Sequence, residues 1–167
     1  LQSLNTIEGF LAAELYAFGW VLLLGIYFAY ATATLVADDV DRGRMDMLLS
    51  LPVTRSKVLL EKFASILVPL VVLNVVTPVV VYLAVLGIDE SIAVADLAMV
   101  HALAVPYLLV AAGVGLLASV VFDRASVAQR VAAGGVVGLF LLDSVTAGTD
   151  VAWLGALSPS RYYDPTA

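Results

Sequence analysis

Residue types that perform chemistry are scarce in this sequence, and they do not form a catalytic or metal-binding pattern. There is no cysteine, so disulfides and thiolate sites are excluded, and a single histidine, His101, cannot by itself form a zinc site. The P-loop pattern G-x-x-x-x-G-K-[ST], which binds nucleotide phosphates, and the nucleophile elbow G-x-S-x-G are both absent from the sequence. We therefore predict no catalytic residue, no metal and no cofactor in this chain.

The most informative polar residues lie in the 38–62 segment, DDVDRGRMDMLLSLPVTRSKVLLEK. Three carboxylates are placed to start a helix, because negative charge favours a helix N-terminus: Asp38, Asp39 and Asp41. Three apolar residues follow at the helical spacing i, i+3, i+4: Met45, Leu48 and Leu49. Pro52 then ends the helix. The pattern predicts a short amphipathic helix that either lies in the membrane interface or docks on a soluble partner.

A second set of polar residues lies inside or beside long apolar runs, where polar side chains are functional candidates. Asn74 and Thr77 stand near Pro78, which leaves a backbone carbonyl without its helical donor. They either satisfy the backbone and a neighbouring helix or line a substrate path. Three further residues are predicted near the outer ends of such runs: Glu14, His101 and Asp143. For Asp143 we favour a side chain that extends to the outer interface.

The composition identifies the elements that must position these residues. Of the 167 residues, 62% are hydrophobic and only 13% are charged, and the mean hydropathy is +1.04. A soluble domain is roughly 45–50% apolar and about 25% charged, so an ordinary soluble enzyme is excluded, as is a disordered chain. The net charge of −6 also argues against nucleic acid as a partner. We predict an all-α polytopic membrane bundle.

Four apolar runs are long enough to cross a bilayer, which takes about 20 residues. The predicted spans cover residues 15–35, 63–86, 97–122 and 130–147. The fourth is the weakest, because only Val131 to Leu142 separate Arg130 from Asp143, and it must continue to Ala147 to cross. We treat residues 1–167 as a single transmembrane domain.

Cationic residues indicate the orientation of these spans. If the spans alternate in direction, seven of the eight Lys and Arg residues fall on one side, and residues 87–96 carry none. Lys and Arg mark the cytoplasmic side of a membrane protein. We predict a multi-pass cell-membrane protein with residues 38–62 and 122–130 in the cytoplasm. The N-terminus, residues 87–96 and the C-terminal tail would then lie outside.

Two glycine patterns predict close approach between helices. Gly113, Gly115 and Ala118 satisfy G-x-G-x-x-A, but they lie in an apolar span and not after a strand, so we favour helix packing over a dinucleotide site. Gly134 and Gly138 form a G-x-x-x-G pair, which also suits close helix contact. The helix that packs against that pair, in this chain or in a second protomer, is left open.

The 38–62 segment resembles the cytoplasmic signature of ABC-2 type transporter permeases. That signature runs from acidic residues and a glycine through paired leucines to Pro-Val-Ser/Thr-Arg, and it ends on a Lys at the next membrane entry. The matching positions are Gly43, Met45, Asp46, Leu48, Leu49, Ser50, Pro52, Val53, Thr54, Arg55 and Lys62. Arg44 stands where the family usually has Thr.

The resemblance implies a permease with typically six spans, of which this chain would be an internal piece lacking the first and the last. It also implies that the 38–62 segment contacts a separate ATPase subunit, which would hold ATP and Mg²⁺, and that the chain pairs with a second permease. The docking stripe would be Met45, Leu48 and Leu49, with Asp46 and Arg55 as polar contacts or helix-end braces. Export is the implied direction of transport.

Two other classes of protein remain as alternatives. A membrane scaffold that recruits a cytoplasmic partner without transport needs the same docking helix. An intramembrane enzyme is less favoured, because an aspartyl protease needs two facing aspartates and only Asp143 lies near membrane depth.

Overall fold

The four predicted apolar runs form long helices in the computed structural model, which describes residues 7–163. Each of the four is long and apolar enough to cross a membrane: span 1, Glu14–Asp41; span 2, Arg55–Gly87; span 3, Val94–Val121; and span 4, Ala125–Thr146. No strand occurs among the described residues. The prediction of an all-α polytopic bundle is therefore confirmed.

Spans 1 and 2 are each built from consecutive helical segments. The helix Ile7–Phe10 comes first and leads into a π-helical stretch, Leu11–Leu24, in which span 1 begins. Span 1 continues through the helix Gly25–Thr32, a turn, and the helix Ala37–Asp41. Span 2 consists of Arg55–Ala64, which carries charged residues, and the apolar helix Leu67–Gly87. A short helix, Met45–Leu49, lies between the two spans.

Span 4, the weakest of the predicted spans, begins earlier than predicted. Its helix begins at Ala125 and ends at Thr146, whereas the sequence analysis gave residues 130–147. At 1.5 Å per residue this helix is roughly 33 Å long, enough for a hydrocarbon core of about 30 Å. Arg130 is therefore part of the helix, with an exposed side chain that can extend to the interface.

Spans 1 and 3 form the centre of the bundle. The most apolar windows of these two spans are both 44% buried, against 17% for spans 2 and 4. Trp20 lies beside His101 and Val36 beside Ser119, so spans 1 and 3 run parallel, as alternating spans must. One end of the bundle, which we call the basic end, therefore holds the 38–62 segment and the connection between spans 3 and 4.

Small residues allow spans 1 and 3 to approach closely. They repeat every four residues on both helices: Ala29, Ala33 and Ala37 on span 1, and Ala111, Gly115 and Ser119 on span 3. A Cβ added at Gly115 would collide with the carbonyl oxygen of Ala29 and the hydroxyl of Thr32. This is the small-residue contact typical of membrane helices, in which packing replaces the hydrophobic driving force.

Hydrogen bonds between side chains and backbone reinforce this contact. The Thr32 hydroxyl donates to the carbonyl oxygen of Ala112 at 2.8 Å. The Ser119 hydroxyl oxygen accepts from the backbone N–H groups of Val36 (2.8 Å) and Ala37 (3.0 Å), beside the turn in span 1. Ser119 thus supplies the acceptor that the interrupted helix does not provide there.

The chain beyond span 4 turns back along the bundle. Two short 3₁₀ helices, Ala152–Leu157 and Pro159–Tyr162, bring the ring of Tyr163 onto that of Tyr107, near the middle of span 3, with the ring centroids 5.8 Å apart. The Tyr107 hydroxyl in turn donates to the carbonyl oxygen of Val21 at 2.5 Å. The last four residues of the predicted tail, 164–167, lie outside the described part of the chain.

Candidate functional site

The 38–62 segment turns sharply at Gly43. The sequence analysis predicted one helix starting at the aspartates, but these residues end span 1, and Met45–Leu49 is a separate helix. Gly43 has φ +67°, a conformation that L side chains rarely adopt. The N–H of Gly43 donates to Val40 O (3.0 Å) and that of Arg44 to Asp39 O (2.7 Å), which satisfies the last carbonyls of the helix.

An ionic cluster connects the end of span 1 to both sides of this turn. Arg42 Nε donates to Asp38 Oδ1 at 2.8 Å, and Arg44 contacts both Asp38 (2.5 Å) and Asp39 (2.8 Å). Lys62 Nζ lies 2.5 Å from Asp39 Oδ2. The two carboxylates raise the pKa of Arg44 through these hydrogen bonds. Lys62, a predicted coupling residue, thus joins span 2 to span 1.

The predicted apolar stripe faces partly inward. Met45, Leu48 and Leu49 are half-buried, and Met45 and Leu49 line a groove of about 360 Å³. Residues of spans 1, 2 and 3 complete its apolar wall: Val36, Val40, Val58, Leu59 and Val120. The side chains that the sequence analysis missed, Met47 (66% exposed) and Leu51 (56% exposed), project away from the bundle. The helix therefore has one apolar side toward the spans, while Met47 on the helix and Leu51 just after it face outward.

The remaining predicted coupling residues lie on the surface of the same end. Asp46 is exposed in the first turn of the Met45–Leu49 helix, where a carboxylate favours the helix dipole. Pro52 is exposed in the bend that follows, and Arg55 is an exposed residue that starts span 2 and borders the groove. Thr54 caps span 2 by accepting a hydrogen bond from the N–H of Lys57 at 3.3 Å.

A second groove, of about 500 Å³, lies between spans 2 and 3. Asn74 and His101 both line it, together with mainly apolar neighbours. The Asn74 amide donates to Leu70 O at 2.9 Å, and His101 Nδ1 lies 2.9 Å from Leu97 O. Within the described residues, Asn74 Oδ1 and His101 Nε2 are buried without a hydrogen-bond partner. Thr77, predicted beside Asn74, is half-buried and does not line this groove.

The other intramembrane acids and the predicted glycine pair have different surroundings. Asp143 accepts a hydrogen bond from Ser160 at 3.3 Å and lies 3.9 Å from Arg161, so it holds the segment after span 4. Glu14 is exposed. Gly134 and Gly138 are exposed, and a Cβ added at either would meet no described heavy atom within 4 Å. Their packing role stays a prediction for a contact outside this part of the chain.

Three features of the structure were not predicted from the sequence: Thr32, Ser119 and the pairing of Asp39 with Lys62. A signal for the first two was present, because small residues recur at four-residue intervals in both spans. The ion pair had no comparable signal, since its partners lie on different spans.

Comparison with known families identifies the chain. A family model described as "ABC-2 family transporter protein" matches residues 5–156. No curated protein and no solved structure matches the chain. The matched region covers all four spans and the whole 38–62 segment, so it includes both the bundle and the ionic cluster. The chain is therefore a multi-pass membrane protein that belongs to the ABC-2 transporter permease family.

Proposed function

We propose that this chain is a permease subunit that couples to a separate ATPase through its 38–62 segment and acts, with a second permease, as an exporter. Membership of the family supports the transporter function. The observation that carries the coupling role is the Met45–Leu49 helix, which has no buried residue; at the basic end its Met47, with Leu51 in the bend that follows, presents an exposed apolar side chain. Exposed apolar residues beside charged ones are typical of a helix that enters a groove on a partner.

The residues of the 38–62 segment would have different roles in this coupling. Met45, Leu48 and Leu49 would seat the helix against the spans, and Met47 and Leu51 would contact the ATPase. Asp46 and Arg55, both exposed, would add polar contacts at the edge. Gly43 and Pro52 would set the turns before and after the helix. Lys62, which lies on span 2, would join that span to the end of span 1 through its ion pair with Asp39. ATP and Mg²⁺ would bind to the ATPase subunit.

We expect the double variant Met47→Asp, Leu51→Asp to lose the ATPase. Two carboxylates in an apolar contact would have to be desolvated without partners, which costs several kcal/mol, so recovery of the ATPase should fall at least about tenfold. The measurement is affinity purification of the complete permease in mild detergent, with quantification of the co-purified P-loop protein.

Leu60→Asp is the matched control, because Leu60 is 67% exposed near the basic end but lies on span 2. It should leave the ATPase bound. Undiminished ATPase in the double variant would contradict the docking surface. A wild-type preparation without any ATPase would contradict the coupling function and favour a non-transporting scaffold.

We further propose that Asn74 contacts the transported molecule, whereas Thr77, which does not line the groove, stays a predicted path residue without that support. The support is the groove between spans 2 and 3, which Asn74 lines with an unpartnered amide oxygen. A buried acceptor in an apolar groove favours a ligand that brings its own hydrogen-bond donor.

We expect cysteines at Ser56 and Ser91 to be labelled from opposite sides of the membrane. Both positions are exposed, and the described chain contains no native cysteine to interfere. An impermeant maleimide applied outside intact cells should label position 91, and position 56 only after lysis. Labelling of both positions from one side would contradict the proposed orientation, with the basic end in the cytoplasm.

A further inference from the structure

Asp39 is the point at which three separate parts of the chain meet. It lies at the end of span 1, and its side chain is only 10% exposed. Arg44, which precedes the Met45–Leu49 helix, binds Oδ1 at 2.8 Å, and Lys62, in the first helix of span 2, lies 2.5 Å from Oδ2. One carboxylate thus contacts a cation from each side of the connection between spans 1 and 2.

The end of span 1 that carries Asp39 is itself fixed to span 3. Two N–H groups shortly before Asp39, those of Val36 and Ala37, donate to the Ser119 hydroxyl oxygen. Ala37 is fully buried, among small residues of spans 3 and 4. A displacement of Asp39 therefore moves the contact with span 3 as well as the ion pair with span 2.

The Met45–Leu49 helix, by contrast, is attached to this frame through a glycine. Gly43 is exposed, and a Cβ there would meet no described heavy atom within 4 Å, so no side chain packs against the glycine itself. The ion pairs of Arg44 with Asp38 and Asp39 cross this turn. Without them the helix would keep the backbone hydrogen bonds of the turn and the contacts of Met45 and Leu49 with the spans, but it would lose its ionic link to span 1.

Lys62 has Asp39 as its only ion-pair partner among the described residues. Asp38, in comparison, is shared by Arg42 and Arg44 and has no ion pair with a described residue of span 2. Removal of the Asp39 charge would therefore leave Lys62 without an ion-pair partner among the described residues, whereas Arg44 would keep Asp38. The two carboxylates are not equivalent, and only Asp39 joins the turn to span 2.

We propose that Asp39 is a positioning residue that transmits displacement of the Met45–Leu49 helix to spans 1 and 2 together. This inference rests on the proposed coupling to an ATPase. Nucleotide-driven movement of the helix would act on Arg44, and the Asp39 carboxylate would carry it to Lys62. If the role of Asp39 were purely structural, its substitution would lower the stability of the permease without altering the response to nucleotide.

The test uses the complete permease bound to its ATPase, with spin labels on cysteines at Ser56 and Ser126. Both sites are exposed, at the starts of spans 2 and 4. In wild type, a non-hydrolysable ATP analogue should shift the distance between the labels. In Asp39→Asn the ATPase should remain bound while the shift is lost, and Asp39→Glu, which keeps the charge, should restore it.

Asp41→Asn is the matched control, because Asp41 is exposed and has no ion pair among the described residues. It should keep the full shift. Where Asp39→Asn does not fold, Lys62→Gln replaces it, since it removes only the contact to span 2. A wild-type shift in either variant overturns the inference but leaves the coupling function intact, whereas a wild-type permease that binds no ATPase overturns both.

Discussion

Gly115→Leu is expected to abolish recovery of folded protein, and Gly115→Ala to destabilise it measurably. A single Cβ at this position collides with the backbone carbonyl of Ala29, which cannot rotate away as a flexible side chain would. Overpacking in a core typically costs about 1–3 kcal/mol and occasionally more. Because backbone atoms form the obstacle, we place the alanine variant at about 3 kcal/mol, which should lower its melting temperature in detergent by several degrees.

Gly113 provides a matched control on the same helix. A Cβ there meets no described heavy atom within 4 Å, so Gly113→Ala should unfold at or above the wild-type temperature. Size-exclusion chromatography and thermal unfolding of both variants make the comparison. Equal stability of Gly115→Ala and Gly113→Ala would show that spans 1 and 3 do not pack as closely as described.

Ser119→Ala is expected to be the most disruptive single-oxygen deletion in the bundle. It leaves the N–H groups of Val36 and Ala37 without an acceptor, at about 1–3 kcal/mol for each buried group. Water can reach the N–H of Val36, which is half-buried, more easily than that of Ala37. The total loss of stability should therefore lie near the middle of the range obtained by adding the costs of the two groups. Thermal unfolding in detergent measures the loss.

Ser144→Ala is the corresponding control. Ser144 is exposed and donates only to Phe140 O of its own helix, at 2.9 Å, so its removal should change stability by no more than about 0.5 kcal/mol. If Ser119→Ala were as stable as Ser144→Ala, the turn in span 1 would have to satisfy its N–H groups elsewhere.

These two predictions concern the same contact, and that contact has a bearing on function. Gly115 sets the distance between spans 1 and 3, and Ser119 fixes the end of span 1 that carries Asp39. Substitutions at either position should therefore also disturb the ionic cluster. The coupling experiments need variants with normal thermal stability, since a shifted span 1 would produce the same loss of nucleotide response.

The sequence by itself determined the fold class and the four spans, because hydropathy and helix length are properties of each segment alone. Span 4 shows the limit of that reasoning, since its helix includes Arg130 and begins at Ala125. A charge near the end of a span is tolerated when its side chain extends to the interface. A count of uncharged residues therefore places the end of such a span too far inside the helix. The signature of the 38–62 segment was equally local, and the family it indicated is the family that matches.

The tertiary structure decided which residues meet. The helical spacing of Met45, Leu48 and Leu49 predicted an amphipathic helix, but only the position of spans 1, 2 and 3 made this stripe half-buried and left Met47 and Leu51 outside. Both glycine patterns predicted close packing, but only the fold shows that Gly115 makes a close contact within the described bundle while Gly134 and Gly138 do not. The pairing of Asp39 with Lys62 depends likewise on how two spans are rotated and offset. Rotation and offset depend on the packing of all the helices at once, so one span's sequence cannot specify them.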